Sequence, residues 1–378
     1  MLTPADYRQL EAEISRIYSR IEADLVRRVC HYLSGFDSLD DIDIGDWRIR
    51  KLEQMPLLDI EIRQALKDGT VAIEGELAEA VTYTVNKSME NDHKVIEAIM
   101  RHQQGGSGTL ALSLSLGKMQ EQRIRSVIAN ARMGINLTNT YAEQATQRAF
   151  LDAVNKAYLS VLEGSDTLQN AVWKASKQLC RRGVTVATYS SGSAQTISID
   201  SAVRRNVVTS VGQATAEATL ERNREYGLDL VKTSAHAGAR PEHFKWQGKV
   251  FSVSGTSDKY PPLSASQEEG GTGYGTAGGL CGCNCRHSFY TWVEGFEPAK
   301  YGLKISEEDN EELYRASQRQ RECERQIRGW KRTEDEAKRQ GMMSEATFAR
   351  QKVKEWQAEV RNVIEASGLQ RQYDRERA

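Results

Sequence analysis

Apolar residues recur every three to four positions over the first part of the chain. Tyr7, Leu10, Ile14, Ile17, Tyr18, Ile21 and Leu25 make one stripe, the period of a helix with one face in a core. Thr3-Pro4-Ala5-Asp6 ahead of it supplies a capping hydroxyl, a proline suited to the first helical position and an acid for the positive end of the helix dipole. The same spacing predicts helices over 56–67, 71–100, 118–132, 137–162 and 167–181, the last closing in a basic turn before Gly183. Residues 103–108, QQGGSG, interrupt the series and read as a flexible linker. Alternation replaces the helical period at 184–189 and 196–199, which predicts a β-hairpin turning at 190–193. Asp200 or Ser201 then caps a long helix carrying Val203, Val207, Val211, Ala214 and Ala218, with Gly227 just past its end.

From residue 228 the pattern changes. Residues 228–233 alternate apolar and polar, and 286–293 are rich in aromatic and β-branched side chains, so two strands enclose a loop-rich middle. Within it, 246–251 (WQGKVF) reads as a turn feeding a short strand. The run 268–279 (EEGGTGYGTAGG) contains a G-x-G spacing, but no strand precedes it and no capped helix follows. A phosphate-binding turn needs both, so this is read as a glycine-rich surface loop. Helix resumes at Ser306, a cap followed by three acids. The mixed basic and acidic run 315–339 is expected to present a solvated or coiled-coil face; Gly341 breaks it, and 344–364 restarts with Phe348, Val353, Trp356, Val360, Val363 and Ile364. The sequence therefore predicts a predominantly helical α+β fold: a helical N-terminal domain over 1–180, a small α+β module over 181–303, and a helical-hairpin or coiled-coil tail over 304–378.

Bulk properties narrow the function classes. The 378 residues allow two or three domains at roughly 100–200 residues each. Lysine plus arginine number 51 against 52 acids, a net charge of −1, so no whole-chain field draws nucleic acid or an anionic membrane. Apolar stretches such as 109–116 fall well short of the roughly 18 residues a spanning helix needs. The first twenty residues lack a basic flank followed by an apolar core, which predicts no secretory signal and synthesis in a reducing cytoplasm, with the six cysteines as thiols. Cys30, Cys180 and Cys323 are scattered along helical stretches and read as ordinary buried residues.

Candidate chemistry gathers in the module. His236 and His243 follow the first predicted strand; Cys281, Cys283, Cys285 and His287 precede or open the second. If those strands are neighbours, the two groups meet at one end of a sheet. Cysteine sulfur and histidine nitrogen suit tetrahedral Zn²⁺, and ligands two to four residues apart can share one ion. Cys281 and Cys285 have that spacing, with one or two of His236, His243 and His287 to complete the set. The alternative has the thiols packed in a tight loop and the histidines bonded to backbone carbonyls; a Cys281–Cys285 disulfide would close a short, strained ring. No cofactor is required by this reading, and a structural zinc ion is the candidate. Arg240, biased to extended backbone by Pro241, reads as a brace pinning its loop to an acid, or as a grip on a phosphate or a partner's carboxylate. Trp246 is expected to anchor the small core, its indole N–H needing an acceptor. No residue combination supplies an orienting acid, an oxyanion turn or a nucleophile elbow for Ser234 or Cys285, so no catalytic residue is assigned.

Ser234-Ala235-His236-Ala237-Gly238-Ala239-Arg240-Pro241, His243, Trp246-Gln247-Gly248-Lys249-Val250 and Gly279-Leu280-Cys281-Gly282 through Asn284-Cys285-Arg286-His287 resemble the signature of the phage minor capsid protein 2 family, itself similar to the Mu F-like head morphogenesis group. The resemblance implies Arg240, Trp246, Gln247, Gly248 and Arg286 as structural or interaction residues, and favours Cys281 with Cys285 over Cys283. It also implies a virion component made in an infected bacterium and associated with the portal vertex, acting in head assembly or DNA passage. Its implied partners are the portal, scaffold or major capsid protein, with contact to packaged DNA open through the 315–339 helix and no membrane. Two other classes stand beside it: a toxin-related hydrolase or transferase using the histidine and cysteine cluster, and a zinc-dependent nucleic-acid binder whose basic face would comprise Arg240, Lys245, Lys249, Lys259 and Arg286.

Overall fold

The stripe that opens the chain becomes helix α1 (Pro4–Ser34), and the predicted cap forms: the Thr3 hydroxyl accepts the Asp6 N–H while the Asp6 carboxylate accepts the Thr3 N–H. A computed structural model of the protein describes residues 2–35, 42–103, 116–190, 193–297, 303 and 305–378. The predicted linker beyond residue 103, the apolar stretch 109–115, positions 191–192 of the hairpin turn and the module–tail boundary at 298–302 and 304 lie outside the described residues. A short helix that the pattern did not signal, α2 (Ile44–Glu53), is capped by Asp43 and buries little beyond Trp47 and Lys51.

Where the sequence predicts two helices on each side of the linker, there is one: α3 (Met55–Gln103) and α4 (Leu116–Leu162). The apparent breaks are packing points. A methyl group on Gly69 would lie 2.2 Å from the Ile21 side chain, and one on Gly134 would lie 3.0 Å from Asn206, whose side chain donates to the Gly134 carbonyl. Glycine there lets neighbouring helices approach. Ion pairs and hydrogen bonds set the directions: Arg63–Glu143, Asn139–Thr70 and Arg132–Glu74 run α3 against α4, and Arg28–Glu61, Arg16–Glu76 and Lys87–Asp6 run α1 against α3. At 1.5 Å per residue each long helix spans about 70 Å. Helix α5 (Leu168–Arg182) packs on α4. The hairpin follows as β1 (Thr185–Ser190) and β2 (Ser193–Ser198), paired from Thr185↔Ser198 to Ser190↔Ser193.

The N-cap of helix α6 (Ile199–Glu225) is Ser198 rather than Asp200 or Ser201; the Ser198 hydroxyl contacts the Asp200 carboxylate, and Gly227 does adopt the left-handed conformation just past the end. One apolar core runs through α1 to α6 and β1, from Leu2 to Ala214, so it continues across residue 180. The small sheet has β3 (Leu230–Thr233) between β4 (Val250–Ser252) and β5 (Phe289–Thr291), both antiparallel to it. The two strands expected to be neighbours are so, with Val231 opposite Thr291 and Thr233 opposite Phe289, although each is shorter than its apolar run. Val231, Phe251 and Phe289 form a second core with Trp246 and Leu263 on one face, while Tyr290 packs with Val95 and Ile99 of α3 on the other. Helix α8 (Glu307–Arg339), capped by Ser306, and α9 (Met343–Ser367) make an antiparallel hairpin joined by Arg319–Glu359 and Arg350–Glu334 around Cys323, Ile327, Val353 and Val360.

Candidate metal centre

Two loops meet at one end of this sheet, one running from β3 to β4 and the other from β4 to β5. The first turns through the four-residue helix α7 (Pro241–Phe244), opened by Pro241 at a position where no backbone N–H is needed, and places His243 inward. The second is the glycine-rich run. Residues 268–270 and 275–278 are exposed, as the surface-loop expectation has it, but 271–273 and 279–282 are buried. The reason is close backbone approach: a Cβ on Gly279 would lie 2.0 Å from the Gly273 carbonyl oxygen, and one on Gly282 would lie 2.5 Å from that of Thr276. Cys281 and Asn284 take left-handed backbone, φ 59° and 55°, which non-glycine residues seldom adopt. Tight folding of this loop thus delivers Cys285 and His287 to the end of the sheet.

His243 Nδ1 lies 3.8 Å and His287 Nδ1 3.7 Å from the Cys285 sulfur. All three ligand atoms fall within 4.8 Å of one another, and all three residues are buried. The far ring nitrogens are held from outside: His243 Nε2 donates to the Gly278 carbonyl at 3.0 Å and His287 Nε2 to Gln247 Oε1 at 3.2 Å. Gln247 Oε1 also accepts the His236 backbone N–H at 3.1 Å. Burial pushes His243 down to about 4 and His287 well below the ordinary imidazole range, so both rings are neutral at pH 7. It pushes the Cys281 and Cys285 thiols up.

The remaining predicted residues divide. The His236 ring stacks on His287 with centroids 4.1 Å apart, and its Nε2 finds no partner among the described residues. The Cys281 sulfur lies 3.8 Å from the His287 carbonyl oxygen; neither His236 nor Cys281 joins the three-atom group. All six cysteines are free, so the Cys281–Cys285 ring is not closed. Arg240 braces its loop on the Cys283 carbonyl at 3.0 Å, not on an acid. Trp246 is buried edge-on to His287 in the core, but its indole N–H has no acceptor among the described residues. Gly248 turns with φ 70°. Arg286 grips Glu11 with two nitrogens at 2.6 to 3.1 Å, tying the module to α1. Sequence reasoning missed the anchors Glu11, Asn310 and the Gly278 carbonyl. Asn310, wholly buried, exchanges two 2.9 Å hydrogen bonds with the Ala239 backbone.

Chemically this is a buried cluster of neutral nitrogen and sulfur donors. A nucleophilic cysteine needs a depressed pKa and access; Cys285 has neither. Of the basic face a nucleic-acid binder would need, Arg286 and Lys259 are paired with Glu11 and Glu294, and Arg240 is turned onto a carbonyl.

The profile of the phage minor capsid protein 2 family matches residues 2–365. The chain belongs to that family. A protein named "structural protein" from Lactococcus phage LL-H is 26% identical over 340 residues, covering 88% of this chain and 89% of its own. Another of the same name, from Lactococcus phage mv4, is 35% identical over 112 residues, covering 28% of this chain and 85% of its own. No solved structure matches the chain. Family and relatives give this chain a structural role in a phage, and no described helix is long and apolar enough to cross a membrane.

Proposed function

We propose that this family member is a minor component of the virion head, made in the bacterial cytoplasm and assembled at the portal vertex, where it acts in head assembly or in the passage of DNA. The observation that carries the reading is the family match over nearly the whole described chain. The architecture supports it. Two antiparallel helices about 70 Å long leave apolar side chains such as Val71, Met133 and Leu137 on their outer faces, and the small module is fastened to three helices by buried polar contacts. A stiff body with long exposed faces suits a connector between larger assemblies.

The test is co-expression of the phage's head genes with this chain carrying an affinity tag. The portal protein is expected to co-purify at a fixed ratio, and to be absent when the tag is carried by an unrelated helical protein. Recovery of scaffold or major capsid protein without portal would remove the portal assignment; recovery of no head protein would remove the assembly role.

A further inference from the structure

Hydrogen bonding alone cannot satisfy the three buried groups at the end of the sheet. His243 Nε2 faces a carbonyl oxygen, so it carries that ring's proton. His287 Nε2 faces Gln247 Oε1, and the orientation of that amide is fixed by the His236 backbone N–H, which can only donate to an oxygen. Each neutral imidazole has one N–H. Both Nδ1 atoms are therefore lone pairs, and both face the Cys285 sulfur. A thiol has a single hydrogen and can serve one of them. The second lone pair would be buried against sulfur, the kind of unsatisfied polar atom that folded interiors avoid. A cation among the three would meet both nitrogens and the thiolate together.

We infer that His243 Nδ1, His287 Nδ1 and Cys285 Sγ hold a structural zinc ion that staples the α7 loop to the glycine-rich loop. The sulfur–nitrogen distances agree with that ion. Zn–S bonds of about 2.3 Å and Zn–N bonds of about 2.0–2.1 Å at a tetrahedral angle put sulfur and nitrogen about 3.6 Å apart; the two observed separations are 3.7 and 3.8 Å. The donor set agrees too, because imidazole with thiolate selects zinc over the oxygen-seeking Mg²⁺ and Ca²⁺. Metal-bound histidines characteristically donate their other ring N–H to a carbonyl or carboxylate, which fixes the tautomer, and both rings do so here. Burial of all three ligands makes the site a closed, structural one rather than an open catalytic one. One tetrahedral corner is left for a fourth ligand.

The full chain, purified without a histidine tag from zinc-supplemented cells, is expected to carry about one zinc per molecule by elemental analysis. Cobalt-exchanged protein should show a thiolate-to-metal charge-transfer band that Cys285→Ser abolishes. Stripping the wild type with a chelator should lower its melting temperature, and zinc should restore it, since an ion bound only by the folded state stabilises it. Wild-type protein with less than about half an equivalent of zinc and a melting temperature indifferent to chelator overturns the site, without recourse to any variant. So does Cys285→Ser that keeps its full zinc content. Neither result bears on which head partner the chain meets.

Discussion

Glu11 sits on the buried stripe of α1, and arginines from three distant segments close on it: Arg286 at 2.6 Å, Arg375 at 2.7 Å and Arg204 at 3.7 Å. Burial alone would raise its pKa, but the three guanidinium groups hold it down to about 2. The site is rich in cations, and burial with the neighbouring arginines drags nearby Arg321 down to about 9. Glu11→Gln would leave three arginines without their shared partner, so it should destabilise the fold by about 3–5 kcal/mol at pH 7 in denaturant unfolding. Because the folded-state pKa lies below the ordinary 4.5, this contribution is complete above pH 4.5 and fades as the pH drops towards 2. The gap between wild type and variant should therefore narrow over that interval. A signal for Glu11 exists in the sequence: it falls four residues after Tyr7 and three before Ile14, an acid inside an apolar stripe. Which cations answer it could not be read there, since they lie 193, 275 and 364 residues away.

At the scale of elements, helix α8 shows how composition misleads. Its mixed charges are read as a solvated or coiled-coil face, yet Arg328 and Arg332 are buried against other elements; Arg332 donates to the Cys180 carbonyl and pairs with Glu22 of α1. That close seat depends on Gly329, where a Cβ would lie 2.7 Å from the Arg181 carbonyl oxygen of α5. Gly75, exposed on α3, has nothing within 4 Å of such a position. Alanine should therefore act with opposite signs at the two sites. Gly75→Ala is expected to stabilise by about 0.5–1 kcal/mol through helix propensity, and Gly329→Ala to destabilise by about 1–3 kcal/mol through overpacking. Thermal melts of the two variants check both. Helix presence was legible from apolar period and caps, as Thr3 and Ser306 show. Continuity was not, because a glycine read as a breaker can equally be a contact with a helix that the local sequence does not reveal.

Across the whole molecule, the α+β module is tied to segments far from it in sequence. Ser288 donates to the Leu2 carbonyl, Thr291 to Asn223 of α6, and Asn310 of α8 clasps the Ala239 backbone. The clasp fixes the loop that carries His236 and His243. Asn310→Ala would bury the Ala239 N–H and C=O without partners, a loss of about 1–3 kcal/mol. Amide exchange should consequently accelerate across 236–247, while the far end of α3 near residue 60 should be unaffected. Exchange that rose uniformly over the chain would mean global destabilisation and would count against a local clasp.

Order along the chain determined the helix-rich α+β class, the caps at Thr3 and Ser306, and the gathering of histidine and cysteine on either side of two strands, since each is a matter of local spacing and backbone preference. Only the folded chain decided which of those side chains meet. His243, Cys285 and His287 converge, whereas His236 and Cys281 stop short of the group, because strand register and the crowded turns at Gly279 and Gly282 set positions to within an ångström, and such distances are products of packing rather than of spacing.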